Sequence, residues 1–129
     1  MRVKQLDHLV LTVADIDQTV LFYRDVLGME AVTFGEGRHA LRFGDSKINL
    51  HLAGHEFEPK ADRPTPGSAD LCLLTDVDVT DVVAELKRHG VVIDEGPVER
   101  TGARGTLISV YVRDPDANLI ELSQYLPDP

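Results

Sequence analysis

Apolar positions along the first half of the chain follow two periods, and each period predicts one type of element. Residues 6–13 form an apolar run with a β-branched end, which is typical of a β-strand. Apolar residues then recur at spacings of four, three and four, as on one face of an amphipathic helix. We expect this helix to have Ile16, Val20, Tyr23 and Leu27 on its apolar face and to end at Gly28. Strands at 29–34, 38–43 and 47–52 should follow it.

The second half repeats this pattern after an interruption. Residues 53–68 contain Pro59, Pro64 and Pro66 and show no periodicity, so they predict a linker or surface loop. The order of elements is therefore βαβββ, linker, βαβββ. In the second half we expect a strand at 69–75, followed by a helix that has Val79, Val83 and Leu86 on one face and ends at Gly90. Strands at 91–94, 107–113 and 118–125 follow, and a turn at 114–118 precedes the last of them.

The two halves also align residue by residue. Gly28 and Gly90 are 62 positions apart, and so are His8 and Asp70. The tripeptide at 48–50 matches the tripeptide at 120–122, 72 positions later. An internal repeat of this kind indicates architecture more strongly than a single motif does. The sequence predicts an α+β protein in which two βαβββ modules form a cupped, mixed sheet around a concave space.

Composition narrows the class of partner. The chain has 129 residues, a net charge of −9 and one cysteine, Cys72, which we interpret as a small core residue. Scattered basic residues and a negative net charge argue against nucleic acid and membrane surfaces as partners. The lack of a long apolar run or signal-like N-terminus and the single cysteine favour a cytoplasmic protein.

Several motifs are more specific for the fold. They are LDHLVLTV at 6–13, FYRDVLG at 22–28, VRDPD at 112–116 and NLIEL at 118–122. With them the chain resembles the vicinal-oxygen-chelate superfamily, which includes glyoxalase I, bleomycin resistance proteins and extradiol dioxygenases. The resemblance extends from about Lys4 to Tyr125. It implies one domain with a glyoxalase-like fold (modules 4–52 and 69–125, linker 53–68) that forms a homodimer and binds a small molecule.

The resemblance also implies a metal site on the first and last strands of each module. Those positions hold His8, Asn49, Asp70 and Glu121 here. His8 and Glu121 match the family pattern, whereas Asp70 replaces a histidine and Asn49 a glutamate or glutamine. His51 shares a strand face with Asn49 and is a candidate substitute ligand. Imidazole and carboxylate donors suit Zn, Ni, Mn or Fe(II).

Other residues are candidates for catalysis or substrate binding. Glu121 or Asp70 is the candidate general base. Arg104, in a glycine-containing loop, is either an anion clamp or a solvated arginine. Tyr111 either lines the cavity or packs, and Asn49 is either a substrate contact or a structural hydrogen-bonding group.

Two classes of function remain open at this level. The first is a metal-dependent lyase or isomerase that moves a proton next to a carbonyl, with an Fe(II) extradiol-type dioxygenase as a variant that requires His51 as its second histidine. The second is a metal-free small-molecule-binding protein of the bleomycin-resistance kind. Asn49 and Asp70 favour this class, because they replace the residues usual at two metal-ligand positions of the family.

Overall fold

The computed structural model describes residues 1–127. It contains two four-stranded mixed sheets, each accompanied by one helix. The chain divides into a first unit, Met1–Ser68, and a second unit that begins at Ala69. This confirms the α+β class and the two βαβββ modules. Among residues 1–127, no helix has the length and apolar character needed to cross a membrane.

The first unit has its strands in the order β1-β4-β3-β2, with β1 and β4 parallel and the other pairs antiparallel. The Asp15 carboxylate caps the helix by accepting a hydrogen bond from the Gln18 N–H at 2.8 Å. After a π-helical turn the chain leaves the helix at Gly28, whose φ of +71° is one that glycine adopts readily. The elements are β1 (His8–Val13), α1 (Ile16–Leu21) with the π-helical turn Phe22–Val26, β2 (Glu30–Phe34), β3 (Arg38–Phe43) and β4 (Ser46–Leu52).

The second unit repeats this topology with the strand order β5-β8-β7-β6. The Asp78 carboxylate caps its helix by accepting a hydrogen bond from the Thr80 N–H, and the backbone N–H of His89 bonds the Glu85 carbonyl at the C-terminus of that helix. The elements are β5 (Asp70–Leu74), α2 (Val79–Arg88), β6 (Glu95–Thr101), β7 (Thr106–Arg113) and β8 (Leu119–Tyr125).

The registers of the two parallel strand pairs coincide. Val10 pairs with Asn49 in the first unit, and Cys72 pairs with Glu121 in the second. These partners are related by the offsets of 62 and 72 positions that the sequence repeat predicts. The repeat therefore extends to the level of individual residue pairs.

One predicted strand is wrong. Residues 91–94 are not a strand, because the Val91 N–H bonds the Leu86 carbonyl and so completes the end of α2. The strand is β6 instead, and it contains Pro97. Proline interrupts central strands, but β6 lies at the edge of its sheet, where a missing N–H is tolerated.

Each sheet buries one face and leaves the other to polar residues. Because side chains alternate along a strand, residues next to a core position point to the opposite face. The α2 helix packs against β7 and β8 in the second unit. The core side chains include Leu11, Val13, Tyr23, Leu41, Ile48 and Leu50 in the first unit and Val82, Leu86, Val110, Val112, Ile120 and Leu122 in the second.

Candidate functional site

The polar face of the second sheet contains an open pocket of about 470 Å³. Three of the predicted site residues line it, namely Asp70, Tyr111 and Glu121. Their meeting follows from the strand registers, since Tyr111 pairs with Glu121 across β7 and β8. The remaining lining residues are Asp94, Glu95, Arg100, Arg113 and Leu119.

Glu121 is held in place by the Ser109 hydroxyl, which is itself bonded to Ser123. Its neighbours Ile120 and Leu122 are buried on the opposite face, as the alternation predicts. The Ser109 hydroxyl donates to Glu121 Oε2 at 2.7 Å, and the Ser123 hydroxyl lies 3.4 Å from the same oxygen. The two hydroxyl oxygens are 2.6 Å apart, and because Ser109 gives its single proton to Glu121, the Ser123 hydroxyl donates to Ser109. The Tyr111 hydroxyl and the Cys72 thiol also lie close enough to interact with the Glu121 carboxylate.

The two arginines of the pocket are already engaged. Arg100 donates to the Tyr111 hydroxyl oxygen at 3.0 Å and to Glu95 at 3.1 Å. Arg113 donates to Asp94 at 2.9 Å. Asp70 and Glu121 form no ion pair with any residue that the structure describes, so the pocket retains uncompensated negative charge. It is therefore better suited to a cation, or to a ligand held by one, than to a free anion.

Tyr111 offers a hydroxyl proton to this pocket. Partial burial raises the pKa of Tyr111, and the nearby Glu121 charge acts in the same direction, whereas Arg100 opposes them. The hydrogen bond between Arg100 and Tyr111 in turn raises the pKa of Arg100. Because Arg100 donates to the phenol oxygen, the hydroxyl proton is directed away from Arg100, and the neighbouring acceptor is the Glu121 carboxylate.

Arg104 lies apart from this pocket. Its guanidinium carbon is 4.2 Å from the centre of the Tyr125 ring, and its backbone N–H donates to the Tyr125 hydroxyl at 3.1 Å. This stacking occupies the face of the guanidinium. Its role as an anion clamp thus stays a prediction, without support from the lining of the second unit's pocket.

The candidates of the first unit lie on β1 and β4. His8 is exposed, with Nδ1 2.7 Å from Asp7 Oδ2. Asn49 and His51 are buried, and neither Asn49 Oδ1 nor His51 Nε2 has a hydrogen-bond partner among the described residues. Burial lowers the pKa of His51, as does the charge of Arg38, so the imidazole is neutral near pH 7.

The chemistry of these donors fits a first-row divalent metal. Neutral imidazole nitrogen and carboxylate or amide oxygen are ligands for Zn, Ni, Mn and Fe(II). The unpartnered Asn49 Oδ1 and His51 Nε2 lie in the first unit, and the carboxylates of Asp70 and Glu121 lie in the second. Within neither unit, over residues 1–127, do three His, Cys, Asp or Glu side chains gather closely enough to hold an ion.

Sequence reasoning did not name six polar residues in or next to this pocket as site residues. They are the two serines close to Glu121, and Asp94, Glu95, Arg100 and Arg113 of the lining. Ser109 and Ser123 share the strand face of Tyr111 and Glu121, so alternation alone could have found them. Arg100 and Glu95 were missed because β6 was not predicted, and no periodicity marks a strand that contains a glycine and a proline.

Cys72 is exposed, contrary to its interpretation as a core residue, because it lies on the polar face of β5. Partial burial raises the pKa of its thiol, and the charge of Glu121 adds to this, against the Ser123 hydrogen bond. Since only the thiolate reacts, we expect the pH midpoint of iodoacetamide alkylation to lie above that of N-acetylcysteine. Mass spectrometry of alkylation against pH measures this midpoint independently of steric access. A midpoint at or below that of the free thiol would contradict it.

The comparison with known protein families decides the family. The model of the Glyoxalase/Bleomycin resistance protein/Dioxygenase superfamily matches residues 5–122. The chain belongs to this superfamily. This confirms the resemblance to the vicinal-oxygen-chelate proteins, and the superfamily as a whole covers many reactions on one fold.

Three relatives are similar in sequence to this superfamily member. It is 60% identical to the virulence protein STM3117 of Salmonella typhimurium, over 98% of this chain and 88% of that protein. It is 56% identical to the glyoxalase domain-containing protein RDO1 of Mycosarcoma maydis, over 97% and 70%. It is 31% identical to a lactoylglutathione lyase of Neisseria meningitidis, over 93% and 90%.

Solved structures agree with this placement. The crystal structure of the Salmonella virulence protein matches with a TM-score of 0.96, over 98% of this chain and 100% of that one. An antibiotic-binding protein from a Streptomyces species, TnmS3, matches with a TM-score of 0.76 and 25% identity, over 98% and 99%. A protein named as a lyase and a protein named for antibiotic binding are thus both similar to this superfamily member.

Proposed function

We propose that the chain is a divalent-metal-dependent enzyme that moves a proton next to a carbonyl group in a small, oxygen-chelating substrate. The observation that carries this proposal is the state of Glu121. The Ser109 hydroxyl, which is itself bonded to that of Ser123, fixes the carboxylate through Oε2 in a pocket with excess negative charge. The identity with lactoylglutathione lyases supports a lyase or isomerase reaction on a thiol adduct.

The metal ligands proposed are His8 and Glu121, which match the family pattern, with either Asp70 or the substitute His51 as the third. When bound, the metal would supply Lewis-acid polarisation of two adjacent substrate oxygens. Neutral imidazole is the form that coordinates, and the lowered pKa of His51 favours that form near neutral pH.

The residues of the second unit account for the proton transfer. Glu121, if released from the metal, or Asp70 would accept a proton from the carbon next to the carbonyl and return it to the former carbonyl carbon. The neighbouring hydroxyl proton would pass to the former carbonyl oxygen, so the substrate would be isomerised without an external oxidant. Ser109 keeps the Glu121 carboxylate in one orientation during both transfers. Tyr111 donates its hydroxyl proton in a hydrogen bond to the Glu121 carboxylate, because its raised pKa keeps it protonated.

Elemental mass spectrometry on protein purified without chelators or a histidine tag tests the proposal. We expect about one divalent metal per chain, and loss of most of it in Glu121→Gln, because a neutral amide is a weaker ligand than a carboxylate. Glu99→Gln is the matched control, since Glu99 is exposed on β6. Full metal retention in Glu121→Gln, or no uptake of Ni, Zn, Mn or Fe(II) by the unaltered chain, would contradict the proposal.

A metal-free binding function is the second candidate, and two observations favour it. Over the described residues, neither unit by itself gathers three metal donors. The antibiotic-binding TnmS3 has the same architecture. In the experiment above, a chain that takes up no metal would make small-molecule binding the leading function.

A further inference from the structure

The polar face of the first sheet carries two cations without acidic partners. Arg38 and Lys47 are partly buried, and no carboxylate among residues 1–127 lies within ion-pairing distance of either. Arg42, on the same strand as Arg38, is paired with Glu30 at 3.3 Å. In a chain of net charge −9 acidic partners are plentiful, so the isolation of Arg38 and Lys47 is a specific feature of this face.

Aromatic rings hold these two cations. The Arg38 guanidinium carbon lies 5.2 Å from the centre of the Phe34 ring and 4.6 Å from that of Phe57. The Lys47 ammonium lies 4.1 Å from the centre of the Phe34 ring. Stacking on rings fixes the guanidinium but satisfies none of its five N–H donors. Arg38 is thus positioned in advance and still has its hydrogen-bonding capacity for an anion.

Two buried polar side chains on this face also have no partner. Asn49 and His51 lie on β4 with Lys47, on the same face by alternation. Asn49 is 7% exposed and His51 is 4% exposed, and Asn49 Oδ1 and His51 Nε2 lack hydrogen bonds within the described part of the chain. The Phe57 ring packs against the edge of His51, with centroids 5.6 Å apart. Buried polar atoms without partners are costly, and a ligand is one way to satisfy them.

The charge of this face is a property of the first unit and not of the repeat. The strand registers place Ser109 at the position equivalent to Arg38, and Leu119 at the position equivalent to Lys47. Neither is a cation. The first unit therefore offers positive charge where the second unit presents a pocket with excess negative charge.

We propose that this face of the first unit is a binding site for an oxyanion, a carboxylate or phosphate, carried on a small flat or apolar group. Arg38 binds the anion through its N–H groups, and Lys47 adds charge. The flat group packs beside Phe57, and polar atoms next to the anion reach Asn49 and His51. The nearby Glu56 does not neutralise Arg38, since the two form no ion pair. Its charge opposes the lowering of the His51 pKa by burial and by Arg38, and its carboxylate accepts a hydrogen bond from the Gly54 N–H. The proposal goes beyond the proposed enzymatic function and does not depend on a metal. With His51 at the anion site, Asp70 is the third of the proposed metal ligands.

Isothermal titration of the full chain with three probes tests this site. Phenylacetate and phenyl phosphate carry the two anions on a flat group, and benzyl alcohol is the neutral counterpart. We expect the anions to bind and benzyl alcohol to bind at least about tenfold more weakly. Tighter binding of phenylacetate identifies a carboxylate as the ligand, and tighter binding of phenyl phosphate identifies a phosphate.

Matched variants localise the binding. Arg38→Gln should weaken the preferred anion by about ten- to a hundredfold, because charge-assisted hydrogen bonds are lost. Arg42→Gln is the control, since that side chain on the same strand is already paired. Lys47→Gln is a second variant for the case that Arg38→Gln alters the fold. Its expected loss is smaller, because Lys47 adds charge without a two-pronged contact.

The site is overturned if Arg38→Gln and Lys47→Gln bind the anions as the unaltered chain does, or if neither anion binds at millimolar concentration. Equal binding of benzyl alcohol would also overturn it. Glu121→Gln separates this test from that of the enzymatic function. It should keep the anion affinity whether or not it loses metal.

Discussion

Replacing Glu121 by glutamine is expected to lower the rate of isomerisation of a thiol adduct of a 2-oxoaldehyde by at least about a hundredfold. Glutamine has the shape of glutamate and can still accept a hydrogen bond from Ser109, so the strand and its serine contacts are preserved. It cannot take up a proton from carbon, and it is a weaker metal ligand. The measurement is the rate of product formation, followed by absorbance, with the chain supplied with Zn or Ni.

Two further variants show whether such a loss is specific. Glu99→Gln removes one carboxylate from the exposed side of β6 and should leave the rate unchanged. Ser109→Ala keeps Glu121 but removes the hydroxyl that donates to Oε2 at 2.7 Å, and we expect a loss of about tenfold, equal to one modest hydrogen bond. A Glu121→Gln rate within twofold of the unaltered chain would exclude Glu121 as the base.

The second large effect is expected at Asn118, where alanine should lower the free energy of unfolding by about 3 kcal/mol. The Asn118 amide connects two segments of the second unit. Its Nδ2 donates to Asp114 Oδ2 at 2.8 Å, and its Oδ1 accepts from the Ala69 N–H at 2.8 Å. Asn118 is 2% exposed and Asp114 is 5% exposed, so water cannot readily replace these bonds. Urea denaturation followed by circular dichroism measures the change.

The other asparagine of the chain provides the control. Asn49 is also buried, but its Oδ1 has no hydrogen-bond partner among residues 1–127. Asn49→Ala therefore breaks no bond of that oxygen and removes a desolvated polar atom, so its effect should be at most about 1 kcal/mol. Equal destabilisation by the two substitutions would show that volume, and not hydrogen bonding, determines stability at both positions.

The sequence predicted the fold because its strongest signals are local and occur twice. Gly28 and Gly90 end the two helices with a left-handed backbone that disfavours other residues, and both have positive φ in the structure. The stretches before and after them are periodic. Strand β6 was not predicted, because glycine and proline residues such as Gly96 and Pro97 usually interrupt a strand. The structure tolerates them because β6 lies at the edge of its sheet.

The site was predictable to the extent that strand alternation determines it. Glu121 was identified because the resemblance implies a metal ligand at that position, and alternation between Ile120 and Leu122 then places it on the polar face. The register brings it beside Tyr111 and Ser109. The engagement of Arg100 with Tyr111 was not predictable, since it depends on how β6 pairs. The contact of Phe57 with Arg38 was not predictable either, because Phe57 lies in an aperiodic segment whose path is set by packing.

The two units differ in length chiefly in one hairpin. Eight positions separate Val32 from its partner Ala40, whereas sixteen separate Glu95 from its partner Tyr111. Extending a hairpin costs little closure entropy and leaves the other strand pairings in register. The extra length also carries Arg100, which bonds Tyr111 across the pocket. Selection can therefore reshape ligand preference by lengthening, shortening or exchanging this hairpin, while the duplicated framework that folds the protein stays as it was.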